Sequence, residues 1–332
     1  MNRRRQLVAL VLVPLALTSL ASHLTIGFLG IETSPRFREP IGRPGGSNTI
    51  CAAGSSLTFY GLDWDKIAAV TDRPVTKCGV PAASPCELEL IYETVPNPDI
   101  TVVGISVYDL NEYFLSDFRS EVVPLKAAIR DLGASGADWP FTKRVVSQYL
   151  LSWLRILFPT AGRSTGVMVG MRAKARGLLG KARSGSETGP SLNALSPAAA
   201  RIEDWPPGRM WRNLASTRAS CQGRIGFGGP KRLALKRLLS RAVQRGRAVV
   251  VVLPVSPPYY NEFIDEDVSL LFENLLAELK RSTSEILWVR LDLVSELHST
   301  RYYWDLVHLN VEGQAIATEI MIHRLKELAV IR

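Results

Sequence analysis

The chain has 332 residues, 46% hydrophobic and 21% charged, a composition too apolar for a disordered protein and long enough for one α/β domain with an insertion or for two small domains. The net charge of +9 is uneven: from Thr142 to Arg247 there are 21 Lys+Arg against 3 Asp+Glu, so the remainder is net acidic. Four cysteines without CxxC spacing and four histidines exclude an obvious zinc site, and neither metal nor cofactor is expected.

Arg3, Arg4 and Arg5 precede an apolar run from Leu7 to Ile31, broken only by small polar residues, His23 and Pro14. Positive residues stay cytoplasmic, and a spanning helix needs roughly 20 apolar residues. Residues 1–31 therefore read as a signal anchor or transmembrane helix with its N-terminus cytoplasmic and the rest periplasmic or on the cell surface. The alternative is secretion after signal cleavage at Ser19-Leu20-Ala21. Residues 32–47, rich in Pro, Gly and Arg, read as a linker, and residues 48–332 as one α/β domain with an insertion at about 122–245. Export permits disulfides among Cys51, Cys78, Cys86 and Cys221, but three complete pairings are open, and Cys51 and Cys78 equally suit buried free thiols.

Thr49–Ala53 predicts a buried strand, Gly54-Ser55-Ser56 a turn, and Leu57–Val70 a helix. Val75–Cys78 predicts a second strand and Ser84–Thr94 a helix, with Pro85 in its first turn and Glu87 and Glu89 near its positive end. Ile100–Ile105, apolar on both faces, predicts a strand of a covered parallel sheet. The insertion mixes helix with Gly/Ser-rich loop, and its segment Tyr149–Phe158 suits either a membrane interface or a packed core. A basic helix over Arg232–Arg245, strands at Ala248–Leu253 and Ile286–Val289, and helices at Val268–Arg281 and Val311–Leu328 complete the pattern. Alternating strand and helix predicts a doubly wound α/β sheet.

Two places carry chemistry. Gly54-Ser55-Ser56-Leu57 sets a serine at the carboxyl end of the first strand, where open α/β sheets bind ligands. A Gly-Ser-Ser turn is equally a common helix cap. Near the C-terminus, Asp305-Leu306-Val307-His308 places an acid and an imidazole three residues apart, so one local turn can hold the ring through one nitrogen and free the other for a serine proton. The competing role is a structural His–Asp pair. His23 lies in the anchor, His323 in the terminal helix and His298 in a loop without a motif, leaving His308 as the candidate base.

These two blocks resemble the first and last blocks of the SGNH (GDSL-like) hydrolases, whose membrane-anchored members often read Gly-Ser-Ser. The resemblance covers residues 48–115 and 246–325. It implies a flavodoxin-like three-layer α/β/α sandwich with a central parallel sheet, Ser56 as nucleophile, His308 as base and Asp305 as its acid. It also implies oxyanion donors from the backbone of Ser56 and of Ala82, where the family has glycine, and from Ser106, where the family has asparagine; Asn111 is the alternative to Ser106. The Gly-x-Ser-x-Gly elbow of α/β-hydrolases is absent.

The implied activity is a serine-dependent esterase or O-acyltransferase acting on an acylated glycan, wall polymer or lipid outside the cytoplasm. A membrane-bound acyltransferase is an expected partner. The alternative is a catalytically weak or inactive membrane-tethered module that binds a glycan or a partner on the same fold. The basic insertion suits lipid headgroups or an acidic polymer, or is simply solvated. Nucleic acid is not expected, because an exported chain rarely meets it and no binding motif is present.

Overall fold

The computed structural model describes residues 13–25, 48–79, 82–114, 123–158 and 200–327. Packing divides these into two units, one made of 13–25 and 143–158, the other of the remaining described residues.

The larger unit is built on five parallel strands: β1 (Ile50–Ala53), β2 (Val75–Cys78), β3 (Ile100–Ile105), β4 (Arg247–Val252) and β5 (Leu287–Arg290), in the order β2-β1-β3-β4-β5. β1 and β3 are buried along their whole length, as is β4 beyond Arg247. That is why these strands are nearly continuous apolar runs rather than alternating ones, with Thr101 hydrogen-bonded to Tyr92 OH. Every expected strand is present. The register puts Ala53 beside Val103, and Ile105 beside Val252, so the loops after β1, β3 and β4 emerge at one edge. Cys51 and Cys78 form a disulfide between neighbouring strands; Cys86 and Cys221 are buried thiols.

In chain order the described helices are α1 (13–25), α2 (Ser56–Gly61), α3 (Trp64–Thr71), α4 (Pro85–Glu93), α5 (Val107–Leu110), α6 (Leu125–Ser135), α7 (Trp139–Leu157), α8 (Pro207–Ser220), α9 (Pro230–Arg245), α10 (Pro257–Phe263), α11 (Glu266–Ser282) and α12 (Val311–Glu327). The helix expected over Leu57–Val70 is two helices. Leu62 is extended, and the Asp63 carboxylate accepts from Lys66 N at 3.0 Å, which begins a new N-terminus. α4 opens with a capping box, Ser84 Oγ accepting from Glu87 N and Glu87 Oε2 from Ser84 N.

Helices pack in two groups, α2 and α3 with α12, and α4 and α6 with α9. Much of the basic charge of α9 faces acids from outside the basic block. Arg237 forks onto Glu89 at 2.7 and 2.6 Å and reaches Asp131 at 2.9 Å. Arg241 pairs with Glu89 and Glu93, and Arg232 and Lys236 both pair with Glu278. Lys231 is buried, its Nζ donating to Asp109 O and Asn111 O.

α1 covers only part of the expected membrane span; residues 1–12, 26–31 and the linker 32–47 lie outside the described residues. No described helix is long and apolar enough to cross a membrane. Of the expected insertion, 123–142 and 200–245 belong to the sheet unit, and 159–199 lie outside the described residues.

Two buried polar groups stand out energetically. Thr58 Oγ1 has no hydrogen-bond partner. Replacing it with the isosteric Thr58→Val removes an unpaired buried oxygen, and should raise unfolding free energy by about 1 kcal/mol in a urea titration. The second is Glu112, whose carboxylate accepts from Lys231 N and Arg232 N at the start of α9. Burial pushes its pKa up from 4.5 to about 7, against the pull of the Lys231 charge and of these N–H groups. The folded carboxyl keeps its proton to higher pH than the unfolded one, so stability falls as pH rises from 4.5 to 7. Relative to Glu112→Gln, the natural protein should lose about 3 kcal/mol across that window, read as the difference between the two proteins' urea unfolding free energies.

Candidate active site

The site starts from a close approach of helix to sheet. Thr58, one turn into α2, sits in a notch between Gly54 and Gly104. A Cβ on either glycine would lie 1.9 or 2.1 Å from Thr58 Oγ1. Only hydrogen at both positions lets α2 begin directly on the ends of β1 and β3. Ser55 caps α2, its Oγ accepting from Leu57 N at 3.1 Å, and Ser56 follows as the first helical residue. Its hydroxyl is thereby turned outward at the carboxyl edge of the sheet.

The imidazole comes from a tight loop before α12. Tyr303 and Leu309 bridge antiparallel, and Trp304 N donates to His308 O at 3.1 Å. Asp305 works with both oxygens. Oδ1 accepts from Val307 N at 2.8 Å and His308 N at 2.7 Å, while Oδ2 lies 2.7 Å from His308 Nδ1. This orientation places the Nδ1 proton toward the carboxylate and leaves Nε2 to accept. His308 Nε2 lies 2.9 Å from Ser56 Oγ, across 252 residues of sequence. The structure thus brings Ser56, His308 and Asp305 together in one hydrogen-bonded chain. Burial opposes ionisation of Asp305, but the hydrogen bond and charge of His308 and the two backbone N–H groups outweigh it and hold the carboxyl below its usual range.

Aromatic rings hold the base. Trp304 stacks on His308 with centroids 5.2 Å apart, and Tyr60 meets it edge-on at 6.1 Å. α12 ties the two halves together: Gln314 Nε2 donates to Leu62 O, Asp63 N donates to Thr318 Oγ1 at 2.8 Å, and Lys66 pairs with Glu319. The other histidines lie elsewhere. His23 is on α1, His323 pairs with Glu327 on α12, and His298 Nε2 meets Asp292 O.

The expected oxyanion donors are placed unequally. Ala82 has φ of +56°, a left-handed conformation. Ser106 is fully buried and caps α5. Its Oγ accepts from Asp109 N at 3.0 Å, and its single proton is donated to Asp109 Oδ2 at 2.8 Å. Asn111 is occupied with the returning chain, donating to Arg224 O and accepting from Tyr113 N and Gly226 N. Asp109, which sequence reading did not single out, therefore holds Ser106, and the hydroxyl of Ser55, the neighbour of Ser56, favours its charged form. Burial raises its pKa, against those two hydroxyls and the charges of Lys231 and His308. Its signal in the sequence is the spacing Ser106-x-x-Asp109, an N-cap pattern; Trp304 gave no signal beyond adjacency to Asp305.

A cleft of about 400 Å³ opens at the same sheet edge, over β4 and β5, lined by Val107, Leu253, Val255, Phe272, Arg290 and His298 among others. At about 4.8 Å per strand, its β4 wall stands roughly 10 Å along the sheet from β1. Among the described residues no group of three His, Cys, Asp or Glu side chains is placed to hold a metal ion.

No protein-family model matches this chain. No curated protein matches it either.

The left-handed Ala82 gives a local test. A Cβ in that conformation costs roughly 1 kcal/mol that glycine does not incur. Ala82→Gly should therefore hold or raise the melting temperature, where an ordinary Ala→Gly change in a loop lowers it.

Proposed function

We propose that this chain is a serine-dependent ester hydrolase or O-acyltransferase of the SGNH type, tethered at a membrane by its N-terminal segment and working outside the cytoplasm. The observation that carries the reading is the relay from Ser56 Oγ to His308 Nε2, 2.9 Å, and from His308 Nδ1 to Asp305 Oδ2, 2.7 Å. Further support comes from the strand order β2-β1-β3-β4-β5, with Ser56 at the carboxyl end of β1. That is the doubly wound flavodoxin-like order with its ligand crevice at the switch between β1 and β3, and we read the helices as the outer layers of a three-layer α/β/α sandwich.

In this mechanism Ser56 Oγ bonds to the acyl carbon of an ester as its proton passes to His308 Nε2. Asp305 keeps the ring oriented and stabilises its charged form. The leaving alcohol takes that proton from His308, and the acyl group stays on Ser56. Water, or a hydroxyl of a glycan or wall polymer, then gives its proton to His308 and takes the acyl group, and Ser56 recovers its hydrogen. The developing oxyanion is met by the backbone N–H groups of Ser56 and Ala82. The cleft beside β4 and β5 suits the part of a long substrate remote from the scissile bond. A membrane-bound acyltransferase supplying the acyl group is the partner this chemistry calls for in the transferase version.

A second reading, a catalytically weak or inactive module that binds a glycan or partner, is favoured by one observation. The Ser106 proton is committed to Asp109, so no side-chain donor is free at the position where the family places one. Loss of one such donor typically costs about 10²–10³ in rate.

Labelling with a fluorophosphonate probe separates the two. The enzyme predicts a covalent adduct on the natural protein and none on Ser56→Ala. Absence of labelling on folded natural protein favours the binding module. For esterase against transferase, acetate release from an aryl acetate is measured with and without added glycan; a transferase moves the acetyl group onto the glycan.

A further inference from the structure

The smaller unit is inside out for a protein in water. α1 exposes Val13, Leu15, Leu17, Leu20 and Leu24, the last at 64%, and buries Ser22 to 6%. Ser19 and Thr25, three residues either side, are half-buried, so its covered side is a line of small hydroxyl residues. A helix packed in water buries its leucines and exposes its serines. A helix packed in lipid does the reverse, because leucine gains nothing by leaving hydrocarbon while small residues let helices approach.

The hydroxyl groups follow the same rule. Thr18 donates to Pro14 O and Thr25 to Ala21 O, both at 2.8 Å, and Ser19 donates to Leu157 O, the last carbonyl of α7. Satisfying hydroxyls on backbone carbonyls rather than water is what a hydrocarbon environment requires. The Ser19 bond also joins α1 to the end of α7.

α7 continues the pattern. Val146, Leu150, Trp153, Leu154 and Leu157 are all exposed, Leu150 at 51% and Trp153 at 52%. At about 100° per residue they fall within roughly 100° of arc, one continuous stripe. Val145 and Tyr149, on the adjoining flank, are buried. Ser147 donates back to Lys143 O. Lys143, Arg144 and Arg155 give this stretch too much charge to cross a bilayer, and Arg163, Arg172, Lys174 and Arg176 follow in sequence. An apolar stripe with Trp, basic flanks and an apolar neighbouring helix is the pattern of a segment lying in the plane of an anionic bilayer surface.

We infer that α7, from Lys143 onward, is a second membrane attachment, lying in the headgroup–acyl boundary beside α1 with the Val146–Leu157 stripe in the lipid. The inference rests on the membrane tether proposed above but concerns a different segment. Two attachments fix the orientation of this unit against the bilayer, where a single helix would leave it free to rotate about its axis.

The test uses the full chain in vesicles of phosphatidylethanolamine and phosphatidylglycerol. Single variants Leu20→Cys, Leu150→Cys, Trp153→Cys and Lys126→Cys carry an environment-sensitive fluorophore, attached under native conditions in which Cys86 and Cys221 are buried. Quenching by lipid with a nitroxide on its acyl chain is expected at positions 20, 150 and 153, at least twofold stronger than at exposed position 126 on α6. Quenching at 20 but not at 150 and 153 overturns the inference and leaves the tether standing. Quenching at none of the three overturns both.

Discussion

Everything at the candidate site depends on how closely α2 can lie on the sheet. Thr58 fills the space that two glycine hydrogens leave at Gly54 and Gly104, and this contact sets the height of Ser56 above the ends of β1 and β3. The Ser56–His308 distance leaves little tolerance, since a hydrogen bond weakens steeply outside a few tenths of an ångström. A methyl group at either glycine would lift α2 by more than that. The α12 hydrogen bonds to Leu62 and Asp63 act on the same distance from the other side, clamping the far end of α2 to the helix that follows the imidazole.

The charge distribution has a structural explanation for part of its length. The excess of Arg and Lys over 142–247 looks in sequence like a surface for an anionic partner. In the fold, α9 spends much of its charge inward, on Glu89, Glu93, Asp131 and Glu278, and buries Lys231 under the α5 turn. These acids all lie outside the 142–247 block and contribute to the net acidity of the rest of the chain. The Arg237–Glu89 fork is bidentate and part-buried, the geometry in which such pairs specify how two helices dock. On α7, basic residues and exposed apolar side chains coincide.

What was legible in the sequence follows from locality. Strands such as Ile100–Ile105 and Ala248–Val252 announce themselves because burial on both faces favours apolar residues at nearly every position. The Asp305–His308 loop is equally local, three residues and one turn. The break at Leu62–Asp63 was not legible, because the Asp63 cap competes with an otherwise continuous helical pattern and is completed by Thr318, 255 residues away. The short helices α5 and α10 carry too few residues for a periodic signal. Asp109 could not be ranked above other acids, since its significance lies in reaching Ser55 and Ser106 at once, a coincidence of β1 and β3 ends that only the parallel register creates. The disulfide pairing is of the same kind: Cys51 and Cys78 are partners because β1 and β2 are neighbours.

Several hydrogen bonds of the Asp305 loop run within Tyr303–Leu309, while Leu306 O accepts from Ser256 N and Oγ and Tyr303 O accepts from Ile202 N. Seven consecutive residues therefore carry much of their scaffold internally, and the contacts from Ser256 and Ile202 seat that scaffold on the sheet unit. Its register against Ser56 is set from outside, by α12 and by the Ser256 and Ile202 contacts, while the carboxylate–imidazole geometry is set within it. Divergence in this chain can accordingly retune the distance between hydroxyl and ring by changing residues such as Gln314 and Thr318, leaving the carboxylate–imidazole unit itself untouched.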